Sequence, residues 1–393
     1  MIPRQATATL DRLSRGFPVL AITGPRQSGK TTLARACFAH KPYVSLENPD
    51  EREFAQSDPK RFLGRFAQGA VLDEVQRCPS LLSWLQGLVD QRQIMGDFVL
   101  TGSAQLDLVA GITQSLAGRV ARVELLPLSA GELAAVGRLP TTPSQALFQG
   151  GYPALYDRPV SPSDWLANYV STYVERDVRQ LLAVRDLGQF QTFVKMCAAR
   201  TGQLLNLASL GADCGISAVT AKQWLSVLEA SYIVTLLRPY HRNFGKRLVK
   251  TPKLYFLDAG LAAWLLGIRS ADTLETHAAR GALFETWVVS ECLKQGLHAG
   301  QPLALSFWRD NLGHEVDLLI ETPRGLLPIE IKSGSTFAAD WASGLTRWTR
   351  LAQPQSLAPV LVYGGAQSQE RQGLSVWSWT DLSTRLAEVA ALV

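Results

Sequence analysis

The sequence predicts an α/β protein in three parts: a parallel sheet around a glycine-rich loop, a basic helical module, and a second α/β domain closed by a charged hairpin. Three observations carry this reading. FPVLAITGPRQSGKTTLARACF (17–38) sets an apolar strand, a glycine-rich loop and a helix-forming stretch in succession. Residues 158–253 carry 13 Lys/Arg against 6 Asp/Glu, while the rest of the chain carries 26 against 28, so the basic excess lies in the middle third. EVDLLIETPRGLLPIEIK (315–332) is a pair of alternating strands about a Pro-Arg-Gly turn. At 393 residues the chain is too long for one ordinary core, and the boundaries are expected at 1–155, 156–268 and 269–393.

Composition narrows the class. A 47% hydrophobic and 19% charged chain buries a core and is not disordered. It contains no run of 18 apolar residues, and MIPRQATATLDRLSRG has no apolar signal core, so a soluble cytoplasmic protein without a membrane partner is expected. Cys37, Cys78, Cys197, Cys214 and Cys292 are scattered with no C-x-x-C pair, which fits reduced thiols and argues against zinc.

In the first part, the run Phe17 to Ile22 reads as a buried strand. It leads into Gly24-Pro25-Arg26-Gln27-Ser28-Gly29-Lys30-Thr31, a match to G-x-x-x-x-G-K-[ST], with Thr32 opening the helix. Backbone N–H groups of such a loop wrap a β-phosphate, Lys30 neutralises β/γ oxygens, and Thr31 offers its hydroxyl to Mg²⁺. ATP and Mg²⁺ are therefore the expected ligands. GAVLDEVQ (69–76) ends a strand on Asp73-Glu74, which suits Mg²⁺ organisation by Asp73 and water activation by Glu74. The alternative is an acidic pair opening the next helix. GDFVLTGSA (96–104) ends on Thr101-Gly102-Ser103, where Ser103 either senses a γ-phosphate or caps a helix. Strands over 41–47 and 119–126 complete about five, and the alternation with helices predicts a parallel sheet with its ligand at the C-terminal edge.

TGPRQSGKTTLA, VLDEVQ, LTGS, SLAGRV and LLPLS, in this order, resemble a widespread set of prokaryotic AAA-type ATPases. Those proteins carry a C-terminal domain with a restriction-endonuclease-like core, and the resemblance spans nearly the whole chain. Within it, Arg119 is the arginine implied to stabilise transferred phosphoryl charge, with Arg122 its rival and a structural arginine the plain alternative. An arginine acting in trans would require a homo-oligomer, which the sequence leaves open. A small-molecule kinase is the competing reading of the loop; the Asp73-Glu74 pair and Thr101-Gly102-Ser103 favour hydrolysis. Gly151-Tyr152-Pro153 reads as a rigid linker turn or a contact to the base.

In the second part, Trp165, Tyr169, Tyr173 and Val174 recur at helical spacing within a helix predicted over 163–182. A helix near 190–200 and LLNLASLGADCGISAVTAKQWLSVLEASYIV then suggest helix-turn-helix, with Gly215 in the turn and Ser217 as cap. Two strands follow, with HRNFGK between them, and the resemblance implies a winged helix. Thr220, Lys222, Gln223 and Ser226 give the second helix a thin polar face for base readout. His241, Arg242, Asn243, Lys246 and Arg247 are better phosphate contacts, which makes nucleic acid, DNA before RNA, the expected partner. The other reading is a structural module that transmits the ATPase state.

In the third part, centring the hairpin between Pro323 and Arg324 sets Ile320 opposite Leu327 and Leu318 opposite Ile329 on one apolar face. The other face then sets Asp317 opposite Glu330 and Glu315 opposite Lys332. Facing carboxylates repel unless something offsets them, and Mg²⁺ would. By resemblance, Glu285 on a helix predicted over 281–295, Asp317, Glu330 and Lys332 occupy the four positions of a restriction-endonuclease-like site, with Asp317 and Glu330 as metal ligands. Plain salt bridges about Lys332 and a solvated Glu285 are the alternative. Two functions follow: an ATPase controlling a Mg²⁺-dependent nuclease, or an ATPase switch whose last domain only binds a partner.

Overall fold

The computed structural model describes residues 1–103, 115–174, 187–240, 249–371 and 373–391. They group into two compact units, the first of 1–128, 230–232 and 297–301, the second of 129–229, 233–296 and 302–393.

Five short apolar runs make the sheet of the first unit: β1 (Val19–Gly24), β2 (Tyr43–Ser45), β3 (Ala70–Asp73), β4 (Phe98–Ser103) and β5 (Val120–Glu124). All neighbours are parallel, in the order β2-β3-β4-β1-β5. The strands read as nearly continuous hydrophobic runs because both faces are covered. Leu20, Ile22, Val71, Val99 and Val123 pack with Leu10 and Leu33 on one face. Val19, Ala21, Leu72 and Leu100 pack with Phe62, Leu82 and Leu85 on the other. The chain leaves β1 for the far edge and returns to it, so β1 ends at a topological switch point, where an open α/β sheet offers a crevice.

The second unit holds two sheets. Helices Leu187–Ala199, Leu207–Asp213 and Ala218–Ala230 accompany a small antiparallel sheet of β6 (Gln203–Leu204), β7 (Val234–Leu237) and β8 (Lys253–Phe256), in the order β6-β8-β7. Gly215 takes the left-handed conformation (φ 66°) in the turn between the last two helices. Ser217 Oγ accepts from Thr220 N at 3.0 Å, the expected cap. Phe190 and Phe193 meet Trp224 edge-on. Helix Pro162–Tyr169 is shorter than the 20-residue helix predicted there, because the ladder relaxes into a π-helix over Val170–Val174. The rest of that prediction, 175–182, lies outside the described residues, as does the basic tip with His241, Arg242, Asn243, Lys246 and Arg247. Tyr152 is buried against Trp165 and Tyr169, which makes Gly151-Tyr152-Pro153 a packed turn.

The larger sheet contains β9 (Ala304–Arg309), β10 (Glu315–Thr322), β11 (Gly325–Lys332), β12 (Val360–Tyr363), β13 (Gln369–Arg371) and β14 (Leu374–Ser378), in the order β13-β14-β12-β11-β10-β9. Leu318 pairs with Ile329 and Ile320 with Leu327, the predicted register. A β-bulge then interrupts the pairing of β10 with β9 between Val316 and Leu319. One apolar core runs from Ala130 to Val389, so the segments expected as 156–268 and 269–393 share it. A second core, with Trp308, Val316, Leu319 and Trp348, covers the sheet's other face. No helix among the described residues is long and apolar enough to cross a membrane. The five cysteines are free thiols.

Candidate functional site

Two groups of chemically active side chains stand out, one in each unit. In the first, β1 ends at Gly24 (φ 144°), where a Cβ would lie 2.2 Å from Leu125 O, so only glycine lets the loop turn so close to the neighbouring strand. Gln27 and Gly29 also take positive φ, and the helix Lys30–Cys37 begins directly after. Lys30 Nζ donates to the carbonyls of Gly24 (3.1 Å) and Pro25 (2.7 Å). Arg26 is half-buried, Thr32 is exposed, and Ser28 is fully buried with no hydrogen-bond partner for its hydroxyl. Arg4, a residue the sequence did not single out, donates to Ser28 O at 2.7 Å and Leu126 O at 2.6 Å, tying the loop to the end of the sheet.

Asp73, at the C-terminal end of β3, accepts from Thr31 Oγ1 (3.0 Å), Tyr43 OH (2.7 Å) and Thr101 Oγ1. Of the Thr101-Gly102-Ser103 triplet, Thr101 therefore reaches the carboxylate. Ser103 Oγ instead accepts from Gln76 Nε2 at 3.1 Å, and the same amide donates to Glu74 Oε2 at 2.5 Å. Glu74 sits at φ 58°, strained for a non-glycine residue. Burial raises its carboxyl pKa and Asp73 adds to this, against the pull of Lys30, Arg26 and Gln76. Tyr43 and Gln76 were unmarked in the sequence because nothing in a strand or short turn says which carboxylate its residues will meet.

Arg119 is placed differently. It precedes β5 and forms a two-point pair with Asp90, with Nη2 to Oδ2 at 2.8 Å. Its carbonyl accepts from Val19 N, at the start of β1. The loop lies at the other end of that six-residue strand, roughly 17 Å along. Arg119 therefore cannot touch a nucleotide held in the loop of its own chain. Arg122 pairs with Glu124 at 2.7 Å.

In the second unit, helix Arg280–His298 and strands β10 and β11 bring Glu285, Asp317, Glu330 and Lys332 into one electrostatic cluster. Lys332 Nζ lies 2.6 Å from Glu330 Oε1. Glu330 is 8% exposed, and its Oε2 has no hydrogen-bond partner. A Cβ at Gly344 would lie 3.6 Å from that oxygen and 2.8 Å from Glu315 O, so glycine keeps an oxygen-lined space open. Asp317 Oδ2 accepts from Ile331 N at 2.9 Å, so its side chain takes a donor of the next strand. Burial and the nearby Glu285 and Glu330 push the Asp317 carboxyl well up, against Lys253 and Lys332. Burial also raises Glu330, against Lys332. The Lys332 ammonium is held protonated: burial disfavours the charge, but Glu330 and Asp317 outweigh it.

Two expectations are corrected. Glu315 does not turn to Lys332; it pairs with Arg309 at 2.8 Å and with Lys253. Glu285 is not a free carboxylate, since Lys253 Nζ (2.9 Å) and Tyr255 OH (2.5 Å) both donate to its Oε1. The reason is tertiary: β8 delivers both donors, from positions 32 and 30 residues before Glu285. Among the described residues no group of three Asp, Glu, His or Cys side chains forms a ready-made metal cage. Asp317 and Glu330 still suit Mg²⁺, which commonly takes one or two carboxylates plus water and substrate phosphate.

Comparison with known proteins adds three findings. The AAA domain model matches residues 16–134, and two domains of unknown function, DUF8612 and DUF4143, match 141–272 and 280–382. The uncharacterized proteins Rv2008c of Mycobacterium tuberculosis and Mb2031c of Mycobacterium bovis are each 34% identical over 338 residues, 85% of this chain and 74% of theirs. The Walker-type ATPase paby2304 of Pyrococcus abyssi aligns over 67% of this chain and 96% of its own, at 14% identity and a TM-score of 0.46.

Proposed function

From a chain that belongs to the family of Rv2008c and Mb2031c, with an AAA domain at its front, we propose an ATP hydrolase that controls Mg²⁺-dependent phosphodiester cleavage of nucleic acid, DNA before RNA. The ATPase itself is of the AAA, P-loop type. In its site Lys30 exchanges two loop carbonyls for phosphate oxygens, and Glu74, whose proton affinity burial has raised, takes the proton of the attacking water. Thr31 and Asp73 would hold Mg²⁺, an all-oxygen donor pair suited to a hard cation. The described helices and strands of residues 187–240 and 249–256 act as a winged helix that meets the polyanion.

The observation that carries the nuclease reading is the buried, unpartnered Glu330 Oε2, whose carboxylate acts on the neighbouring Asp317. Asp317 and Glu330 would hold the Mg²⁺ there. When bound, it supplies Lewis-acid charge to the phosphodiester. Lys332, cationic and a third exposed, orients the attacking water or neutralises charge that develops on the phosphate oxygens. A second reading, an ATPase switch whose last domain only binds, is favoured by one observation: Lys253 already neutralises Glu285 and Glu315.

The test is parallel ATPase and DNA-cleavage assays on wild type, Lys30→Ala and Asp317→Asn. We expect Lys30→Ala to lose ATP hydrolysis, and Asp317→Asn to keep it while losing cleavage. DNA breakdown unchanged in a clean Asp317→Asn preparation would sink the assignment of cleavage to this site, and no breakdown by wild type would leave only the binding-module reading.

A further inference from the structure

The carboxylate cluster contains a cation that the proposed reaction does not use. Lys253 lies in β8 and is 3% exposed. Its ammonium is 2.9 Å from Glu285 Oε1, forms a second ion pair with Glu315 Oε1, and stands 5.5 Å from the Phe307 ring centroid. Tyr255, two residues on and so on the same face of the strand, donates to the same Glu285 oxygen. Arg309 takes the other oxygen of Glu315. A buried lysine is costly unless it is paired and hydrogen-bonded. Here the pairing joins carboxylates from a helix and a strand that would otherwise repel each other.

Two-metal phosphodiester sites need carboxylates enough to serve both ions, a few ångströms apart. Of the four carboxylates here, Lys253 engages two. Glu330, with an oxygen left over, and Asp317 are the two it does not engage directly. We propose that Lys253 is a built-in counter-ion that fills the second cation position of this site, so that the chain binds one divalent ion at Asp317 and Glu330 and not two. The inference rests on the metal reading of that site. An ammonium supplies charge but no open coordination position, so it steadies Glu285 and Glu315 without recruiting a second water or phosphate oxygen. Lys253 is in this sense a positioning residue.

The test counts Mn²⁺ bound to the full chain by electron paramagnetic resonance. Every protein carries Asp73→Asn, which removes the ion site of the ATPase. With Lys253 in place, one Mn²⁺ per chain is expected; Lys253→Met should raise this to two, and Lys253→Arg should hold it at one. If Lys253→Met does not fold, Lys253→Gln, which loses the charge but keeps a hydrogen-bond donor beside Glu285 and Glu315, should likewise bind two. No Mn²⁺ on the Lys253 protein would overturn the metal reading itself. One Mn²⁺ there, and still one on the folded Lys253→Met or Lys253→Gln variant, would overturn the Lys253 inference alone. Two Mn²⁺ with Lys253 intact would overturn it as well.

Discussion

Asp73 gathers hydroxyls from Thr31, Tyr43 and Thr101, and so carries most of its hydrogen bonds before any ligand arrives. Three donors fix a carboxylate's direction, and outer partners of this kind set how well it holds an ion. Tyr43 is the informative one to remove. Its phenol pKa is pushed up to about 12 by burial and by Asp73, so it stays a donor at every working pH. Tyr43→Phe should raise the Mg²⁺ concentration needed for half-maximal ATPase about tenfold while leaving the KM for ATP nearly unchanged. An unaltered Mg²⁺ titration would show that Tyr43 does not orient Asp73.

At the scale of elements, the turn from β9 to β10 shows how one side chain sets a strand's entry. Asp310 Oδ1 accepts from Leu312 N at 2.9 Å and His314 N at 3.0 Å, and the His314 ring lies 2.9 Å from Oδ2. Burial raises the Asp310 pKa, but these bonds and the imidazole outweigh it, and the carboxyl is held below its ordinary value. A lowered folded-state pKa means stability that is complete above the ordinary aspartate value and lost as pH falls through the folded one. Asp310→Ala should cost about 1–3 kcal/mol at neutral pH. Its denaturation midpoint should also fall less steeply than wild type's on acidification below about pH 4. Parallel acid profiles for the two proteins would show that this carboxylate is not the linked group. The same turn leads into the bulge of β10, which changes the pairing near Asp317.

At the scale of the whole molecule, Arg119 raises the question of how many chains make one ATPase. Its pair with Asp90 and its place at the wrong end of β1 rule out action within its own chain. If Arg119 serves a neighbour's nucleotide, Lys30→Ala and Arg119→Ala proteins, each inactive, should regain ATPase activity when mixed. Up to about a quarter of the interfaces in a random assembly would then join two intact residues. No recovery on mixing, with Arg119→Ala alone fully active, would make it a structural arginine. Binding by the basic segment is open to a separate check: DNA affinity should fall steeply as salt rises.

The chemistry of the loop was legible because it is local: a strand, a turn needing positive φ and a helix lie within about 20 residues, and only glycine fits Gly24 and Gly29. The register of β10 on β11 was legible for the same reason, since a period of two and one turn admit a single pairing that keeps Leu318, Ile320, Leu327 and Ile329 in the core. The sequence by itself thus determined the parallel sheet, the phosphate-binding loop and the apolar face of the hairpin. Tertiary structure alone decided what each charged group meets. Lys253, Tyr255 and Arg309 reach Glu285 and Glu315 from other strands, and Asp90 takes Arg119. Backbone preference and hydrophobic period act over a few residues, whereas a buried charge is governed by whatever the fold brings within a few ångströms, at any separation along the chain.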